Sequence, residues 1–412
     1  QDQRPVIDDL IAAMQRAVRE VDAWPDREVL VAHHNDSDGL SSGAILTRAF
    51  ERRGFSVRRG CLEKPYPAVL EKIFDTSGKL IVLTDFAGRI APLVSSLNRR
   101  RNQVLILDHH KAVPAKDDRV HLLDPEVFGL RGDRDITAST TCYLFALTMH
   151  PRNRDLAGLA TIGAVGDRFF VDGRLAGPNR EAALETRAQG LLDIEPHEDG
   201  ERYFMITDRG RKPVEVIARE LDTLGGAGYH RGGPEVGIAV CLDGATQESD
   251  AAIAGLRKIQ TRAFDGEVER IRNDGWRRTR QIQWIHVHNR FMPMGVKMIG
   301  AFLDSIRNSD LVDPRRYLAG FQNVPNEIPG IGSFPFDQAK VSMRVADPME
   351  DGIRKGSVLG LDILLPKATD RVGGFSDACH SLTAATTVPL GREEDLIEEL
   401  DLVLSDWRPL PE

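Results

Sequence analysis

Apolar and polar positions change period repeatedly along the first 170 residues of the chain. Short apolar runs, each typical of a buried strand, occur at 28–32, 80–84 and 103–107. Segments with apolar residues at helical spacing lie at 6–24, 40–53, 89–101 and 138–150. A further apolar segment covers 156–165 and ends at Gly166-Asp-Arg. This alternation of short strands with helices predicts a parallel, doubly wound α/β sheet.

The rest of the chain divides into two further regions. Residues 180–280 are charged and mostly helix-like, which favours a helical connector. A second alternating region then begins, with strands predicted at 283–288, 317–321, 339–344 and 358–362 and helices at 295–306 and 393–404. We therefore expect an N-terminal lobe over 1–185, a connector over 186–280 and a smaller α/β lobe over 281–412.

Composition narrows the functional class. The chain has 412 residues, which predicts two to three domains, and its 41% hydrophobic and 28% charged residues exclude a collagen-like or globally disordered protein. The 54 basic and 62 acidic residues give a net charge of −8, so the protein as a whole has no cationic field to attract nucleic acid. Any polyanion must then meet a local basic patch or a bound metal ion.

Three features that the sequence lacks bear on the compartment and the processing of the protein: paired cysteines, a membrane span and a signal peptide. Cys61, Cys142, Cys241 and Cys379 form no CxxC pair, which favours thiols in a reducing, cytoplasmic compartment over disulfides or a thiolate zinc site. No apolar stretch is long enough to predict a membrane span, so no membrane partner is expected. No signal peptide is apparent, and a chain that starts Gln-Asp-Gln is expected to have been trimmed.

The candidate chemistry lies just after the predicted strands. Polar residues at these positions are His34, Asp36, Asp38, Asp85, Asp108, His109, His110 and Asp167. They should converge, because ligands of such sheets bind at the carboxyl ends of the strands. Five carboxylates at close quarters cannot all ionise cheaply unless cations neutralise them. Mixed oxygen and imidazole ligands suit Mn²⁺, with Mg²⁺ or Zn²⁺ possible.

Each of these residues also has a structural interpretation. Asp85 alone is typical of a turn residue or helix cap, and Asp36 and Asp38 suit the N-cap of the next helix. The pair His109-His110 could belong to a surface loop. Their joint occurrence after four successive strands instead favours two metal ions, the usual device for phosphoryl transfer to water.

Four motifs in order resemble those of the DHH phosphoesterase superfamily, in particular its RecJ-like exonucleases and nanoRNases. They are His34-Asn-Asp-Ser-Asp-Gly39, Asp85 after its strand, Asp108-His-His110, and Asp167 in Gly163-Ala-Val-Gly-Asp167. The resemblance covers about residues 25–175 and includes the stretch Thr137–Cys142. Its form His-x-Asp-x-Asp-Gly is closer to the RecJ-like branch.

The resemblance implies a role for each of these side chains. His34 and Asp36 would hold one metal ion, Asp38, His109 and Asp167 the other, and Asp85 would bridge both. His110 would contact the scissile phosphate or assist protonation of the leaving group. Asp108 would orient His109 or bind metal weakly.

The region 280–412 is similar to the DHHA1 substrate-binding domain of the same family. Two segments carry this similarity: Lys340-Val-Ser-Met-Arg344, and the glycine turn after Arg371, whose amides could cradle a phosphate. The residues predicted to bind substrate are Arg344, Arg371, Gly373, Gly374 and His380. The family usually has Gly-Gly-His here, whereas this chain has Phe375, which we interpret as a packing residue rather than a base-stacking platform. Both arginines could equally be surface charges.

A second basic cluster interleaves aromatic residues with arginine. Trp276-Arg-Arg-Thr-Arg280, followed by Trp284, would suit a single strand of nucleic acid. Because the motif is generic and the chain is acidic, we favour exposed arginines that lead into a buried strand. Arg99–Arg101 is interpreted as the solvated end of a helix.

The candidate ligands predict a dinuclear, manganese-dependent phosphodiesterase. The resemblance implies that it hydrolyses single-stranded DNA, RNA or short oligonucleotides from an end. One alternative is cleavage of a small phosphate compound such as a cyclic dinucleotide, nucleoside bisphosphate or polyphosphate. Another is a nucleic-acid-binding module that keeps the fold without hydrolysis. The DHHA1-like region favours nucleotidic substrates, and the complete ligand set argues against the non-hydrolytic alternative.

Overall fold

The computed structural model of the chain describes residues 4–409, which form two compact units. Within the described residues, unit 1 comprises 4–254 with 329–331, and unit 2 comprises 255–328 with 332–409. The division into parts 1–185, 186–280 and 281–412 stays a prediction. No helix among the described residues is long and apolar enough to cross a bilayer.

Unit 1 is built on a five-stranded, all-parallel sheet, as the sequence predicts. Its strands are β1 (Glu28–His34), β2 (Ser56–Leu62), β3 (Leu80–Thr84), β4 (Gln103–Leu107) and β5 (Val120–Leu122). Their order in space is β2-β1-β3-β4-β5. Every residue of β3 and β4 is buried, which is why these strands are continuous apolar runs without alternation. The carboxyl ends of β1, β3 and β4 lie side by side, so the polar residues that follow them must meet.

Helices connect these strands and extend the unit. They are α1 (Arg4–Ala23), α2 (Ser37–Arg52), α3 (Pro67–Phe74), α4 (Ala91–Asn98), α5 (Ala138–Met149), α6 (Ala157–Gly166), α7 (Gly177–Ala188), α8 (Val214–Gly225) and α9 (Gly233–Asp243). Helix α10 (Gln247–Asp274) contributes residues to both units. The helices predicted over 6–24, 40–53, 89–101 and 138–150 are confirmed as α1, α2, α4 and α5, with shifted ends.

The predicted helical connector is wrong over part of its length. After the short strands β6 (Phe170–Val171) and β7 (Arg174–Leu175), residues 192–213 form an antiparallel sheet of β8 (Leu192–His197), β9 (Gly200–Thr207) and β10 (Gly210–Pro213). Buried Leu192 and half-buried Ile194 alternate with polar residues, a strand pattern that the high charge of the region obscured.

Unit 2 contains a six-stranded mixed sheet in the order β11-β12-β13-β16-β18-β17. These strands are β11 (Arg277–Arg278), β12 (Ile282–His286), β13 (Tyr317–Asn323), β16 (Gln338–Arg344), β17 (Phe375–Cys379) and β18 (Thr383–Pro389). A separate hairpin is formed by β14 (Glu327–Ile328) and β15 (Gly332–Ser333). The helices are α11 (Met298–Ile306), α12 (Asp347–Arg354), α13 (Leu361–Arg371) and α14 (Glu393–Asp406).

One strand predicted in unit 2 is wrong. Residues 358–362 do not pair in a sheet, because Gly360 is the N-cap of α13 and the following apolar residues have helical spacing. Leu361, Leu364 and Leu365 are fully buried along one face of this helix. The other three strands predicted from 281 onward are confirmed as β12, β13 and β16, and α11 and α14 match the predicted helices.

Candidate metal centre

The first group of ligand atoms lies where β1 runs into α2. Strand β1 ends at His34, and Asp36 caps α2 by accepting a hydrogen bond from the Gly39 amide at 2.9 Å. His34 Nδ1 lies 3.1 Å from Asp36 Oδ2 and 3.2 Å from Asp85 Oδ2. Its other ring nitrogen, Nε2, lies 3.1 Å from the Glu63 carbonyl oxygen. A hydrogen bond donated by Nε2 to that carbonyl leaves Nδ1 as the atom that can coordinate a cation.

A second group surrounds His109, directly after β4. His109 Nε2 lies 3.4 Å from Asp85 Oδ1, 3.6 Å from Asp167 Oδ2 and 3.8 Å from Asp38 Oδ2. Asp38 is fully buried at the N-terminus of α5, where its carboxylate accepts the amides of Ala138 and Ser139 at 2.9 and 3.0 Å. The helix end therefore fixes this carboxylate and favours its charge.

Asp85 belongs to both groups. It follows β3 with a φ of 64°, in the left-handed region that non-glycine residues seldom adopt. In this conformation one carboxylate oxygen lies next to His34 and the other next to His109. A strained backbone at such a position is typical of functional sites.

The His109 ring is oriented by a backbone carbonyl. Its Nδ1 lies 2.6 Å from Gly132 O, and this contact assigns Nδ1 as the donor. The buried Nε2 completes no hydrogen bond with any group in the described part of the chain. A buried polar nitrogen without a partner, facing three carboxylates, fits a metal ligand.

The electrostatics also fit bound cations. Burial, followed by the nearby charge of Asp85, raises the pKa of Asp38 to about 7. Burial and the charges of Asp38 and Asp36 raise the pKa of Asp167 well above its usual range. Burial opposes protonation of His109, but the carboxylates around it raise its pKa well above the usual value. Without a counter-cation the cluster therefore has to retain protons, whereas divalent ions would stabilise the ionised carboxylates.

Asp108 and His110 form a separate pair beside the cluster. His110 Nδ1 lies 2.7 Å from Asp108 Oδ1, and Asp108 also accepts the amides of Gly88 and His109 at 2.9 and 2.8 Å. Burial alone would raise the pKa of Asp108, yet the adjacent His110 lowers it. Asp108 is thus an ionised residue that fixes His110, although its oxygen also lies close enough to Asp85 and His109 to share a cation.

Two acidic residues near this pair were missed by the sequence interpretation. Asp124 follows β5, its Oδ2 is buried without a hydrogen-bond partner among the described groups, and its pKa is raised to about 8 by burial and by Asp108. Glu126 accepts the amide of Gly132 at 2.8 Å and so supports the carbonyl that orients His109. The sequence contained a signal for Asp124, because this residue too is polar and lies just past a strand.

The residues predicted to bind substrate lie in unit 2 and are engaged in other contacts. Arg344, at the end of β16, forms a bidentate pair with Asp304 at 2.6 and 3.1 Å. Arg371, at the end of α13, contacts Glu399 at 2.9 Å. A phosphate would have to displace these carboxylates, so the substrate-binding role of both arginines stays a prediction.

The glycine turn ends a helix in this structure. Gly373 has a φ of 72°, and its amide donates to Asp370 O at 3.3 Å, while the Gly374 amide donates to Thr369 O at 3.0 Å. A phosphate would have to replace these hydrogen bonds, so the substrate-binding role of both glycines stays a prediction. Phe375 is half-buried at the start of β17, and His380 is exposed, its amide bonded to Thr383 O.

The aromatic and arginine cluster is structural, as favoured from the sequence. Trp284 is 4% exposed in the core of unit 2, and the Arg277 guanidinium stacks 4.1 Å from the centre of its ring. Arg277 also contacts Glu394, and Trp276 Nε1 donates to Leu311 O at 2.7 Å. Trp284 therefore offers no open stacking platform of the kind single strands use, whereas Trp276 is half-buried.

Comparison with known proteins agrees with this geometry. Residues 28–164 match the sequence profile of the DHH family, N-terminal domain. An uncharacterized protein of Methanocaldococcus jannaschii is 32% identical over 170 residues, which cover 40% of this chain and 38% of that protein. The stretch that matches the profile contains every residue of the cluster except Asp167, which lies three residues beyond it.

Two solved structures share the fold at low sequence identity. RecJ from Thermus thermophilus in complex with Mn²⁺ superposes with a TM-score of 0.62 at 14% identity, over 96% of this chain and 55% of that one. An exonuclease RecJ bound to manganese gives 0.57 at 13% identity, over 96% and 95%. The chain thus spans little more than half of the Thermus protein and less than half of the archaeal relative.

Proposed function

We propose that this chain, a member of the DHH phosphoesterase superfamily, is a two-metal phosphodiesterase that removes nucleotides from an end of single-stranded nucleic acid. The observation that carries the proposal is the buried His109 Nε2, which faces three carboxylates and completes no hydrogen bond in the described chain. Neither a turn nor a helix cap explains such an atom, whereas a cation does.

We assign the residues of this cluster to two ions. His34 and Asp36 would hold the first, Asp38, His109 and Asp167 the second, and the two oxygens of Asp85 would reach one ion each. Bound Mn²⁺ or Mg²⁺ would neutralise the carboxylates, activate a water and stabilise charge on the phosphate. RecJ structures that contain Mn²⁺ support manganese as the first choice of ion.

The protein's own groups would then position the reaction. Asp108 holds the Nδ1 side of His110, so the opposite ring nitrogen is the one that would contact the phosphate or give a proton to the leaving oxygen. Burial lowers the pKa of His110, but the Asp108 charge raises it above its usual value, which favours the protonated form that a proton donor needs. Arg344, Arg371, Gly373, Gly374 and His380 remain proposed contacts to the rest of the substrate.

The second candidate is hydrolysis of a small phosphate compound. It is favoured by the ion pairs of Arg344 with Asp304 and of Arg371 with Glu399, because each phosphate bound there must replace a carboxylate. A small substrate held mainly by the metal ions would need no such exchange.

End-labelled single strands of DNA and RNA, graded in length from the dinucleotide upward, test the proposal with Mn²⁺ or Mg²⁺. We expect stepwise loss of terminal nucleotides that needs a divalent ion and is abolished in Asp85→Asn. Asp199→Asn, whose side chain is 75% exposed, is the matched control and should keep full activity. Preference for dinucleotides, or release of phosphate from polyphosphate alone, would favour the second candidate. Cleavage that survives both chelation and Asp85→Asn would contradict the metal centre.

A further inference from the structure

Unit 1 contains a second pocket that the proposed chemistry does not use. It has a volume of about 480 Å³ and lies between helices α6, α8 and α9 and the β9–β10 hairpin. Apolar side chains from each of these elements line it, including Leu159, Ile162, Met205, Leu221 and Val240. Its volume and lining are typical of small-molecule sites.

The charged residues at this pocket indicate the class of ligand. Each of its three cations already has a carboxylate partner: Arg209 contacts Asp250 at 2.7 Å, Lys212 contacts Glu220 at 2.6 Å, and Arg211 contacts Asp193 at 3.0 Å. An anionic ligand would have to break one of these pairs, and a cationic ligand would compete with them. Of the two remaining carboxylates at the pocket, Asp155 is paired with Arg52 and Asp208 is exposed to solvent. A neutral, predominantly apolar molecule can enter without disturbing any of these pairs.

Helix α6 joins the pocket to the metal centre. Leu159 and Ile162 line the pocket, whereas Gly163 packs so tightly on its other side that a Cβ there would overlap Ser139 Oγ and Asp38 Oδ1. Asp167 is the C-cap of the same helix and points its carboxylate at His109. A small displacement of this one helix therefore moves a proposed metal ligand.

Helix α8 provides a second, independent connection. Ile217 and Leu221 line the pocket, and the neighbouring Asp222 accepts the amide of Ser37 at 2.7 Å. Ser37 lies between Asp36 and Asp38 in the chain, so α8 holds the segment that carries both carboxylates. Two helices that line the pocket, α6 and α8, are therefore connected directly to proposed metal ligands.

We propose that this pocket binds a neutral, mainly apolar small molecule and that its occupancy tightens divalent-ion binding at the metal centre. The close packing of Gly163 against Ser139 and Asp38 leaves α6 no room to move toward the metal centre. A ligand in the pocket would block movement of α6 in the opposite direction, away from the centre. Restricting the movement of a ligand-bearing helix lowers the entropy lost on metal binding. The coupling rests on the proposed metal centre, whereas the pocket itself does not.

Titration with N-phenyl-1-naphthylamine, a neutral apolar fluorophore, tests the site on the full chain. We expect saturable one-to-one binding that is retained in Val240→Ala and lost in Val240→Trp, which fills the pocket from α9. Leu184→Trp, on the exposed face of α7 and outside the pocket, is the matched control and should bind normally. Melting curves of all variants would establish that each is folded.

Calorimetric titration with Mn²⁺ then tests the coupling. Saturating probe should lower the Kd for Mn²⁺ about fivefold, and Val240→Trp should do so without probe. Non-saturable binding, or binding equally strong in a folded Val240→Trp, would overturn the pocket. Probe binding with an unchanged Mn²⁺ Kd would overturn the coupling. If the protein takes up no Mn²⁺ at all, the proposed metal centre fails, while the probe titration still decides the pocket.

Discussion

The proposed metal centre of unit 1 and the predicted substrate residues of unit 2 contain similar polar groups, but these groups differ in whether they have bonding partners. In the centre, His109 Nε2 is buried without a completed hydrogen bond and the carboxylates around it crowd one another. In unit 2, Arg344 and Arg371 are paired with carboxylates, and the glycine amides close the end of α13. A buried ring nitrogen that faces three carboxylates without completing a hydrogen bond favours a missing cation, whereas paired groups need no ligand to explain them.

The largest loss of activity should come from substitution of Asp85, which belongs to both groups of proposed metal ligands. Asp85→Ala is expected to lower kcat by about a thousandfold or more, beyond the 10- to 100-fold typical of a residue that only orients a ligand. Asp108→Ala should fall within that smaller range. Metal content by atomic absorption and kcat on an end-labelled strand measure both variants. Equal losses, or full metal content in Asp85→Ala, would contradict the bridging assignment.

Replacement of Gly163 by alanine, which changes no charge, tests how tightly α6 packs against the proposed metal centre. Gly163→Ala should destabilise the fold by about 3 kcal/mol, because its Cβ overlaps Ser139 and Asp38, and should weaken Mn²⁺ binding. Gly266→Ala in α10 is the matched control, since a Cβ there meets nothing within 4 Å. The control should gain about 0.5–1 kcal/mol from its better helix propensity. Urea unfolding gives both values, and similar behaviour of the two variants would argue against close packing at α6.

Metal itself should stabilise unit 1. At a hundredfold excess over Kd, Mn²⁺ is expected to add about 2.7 kcal/mol, which raises the melting temperature by several degrees. Asp167→Asn should abolish most of this shift and also raise the melting temperature of the metal-free protein, because it removes one of the crowded carboxylates. A metal-free variant that melts below the wild type would show that the carboxylates are not in conflict.

The smallest effect concerns the satisfied groups of unit 2. If Arg371 binds substrate, Arg371→Ala should raise KM severalfold with metal content unchanged, as expected for a lost charge-assisted contact. Glu399→Gln should then lower KM, because it releases the guanidinium from its partner. An unchanged KM in both variants would remove Arg371 from the substrate site and leave it as a surface ion pair.

The sequence predicts the parallel sheet of unit 1 and the convergence of polar side chains at one edge of it, because both depend on local signals. Short continuous apolar runs such as 103–107 are typical of strands buried on both faces, and parallel strands bring their final residues to one edge. The positions of Asp85 and His109 follow directly from this rule. Their exact contacts do not, since the Gly132 carbonyl that orients His109 comes from a loop without a sequence period.

The differences between prediction and structure at the glycine pair and in the segment 192–213 have another cause. Each of these sequence patterns is compatible with two different structures. A pair of glycines after a helix serves a phosphate cradle and a helix cap alike, and only the partners of Gly373 and Gly374 distinguish them. The charge of the segment 192–213 favours a helix, although the dipeptide Asp199-Gly200, at the turn from β8 into β9, is a typical hairpin signal. In both cases tertiary contacts decide what composition leaves open.

At Asp85 the backbone conformation and the side chain favour different residues. The left-handed φ favours glycine, whereas the proposed metal centre requires a carboxylate. An aspartate held at a φ of 64° is under local strain, and glycine adopts this conformation without it. Asp85→Gly should therefore relax the turn after β3 while deleting the shared carboxylate. If the proposed function holds, this variant would be a stable, inactive form of the protein that is suited to crystallisation with an uncut strand.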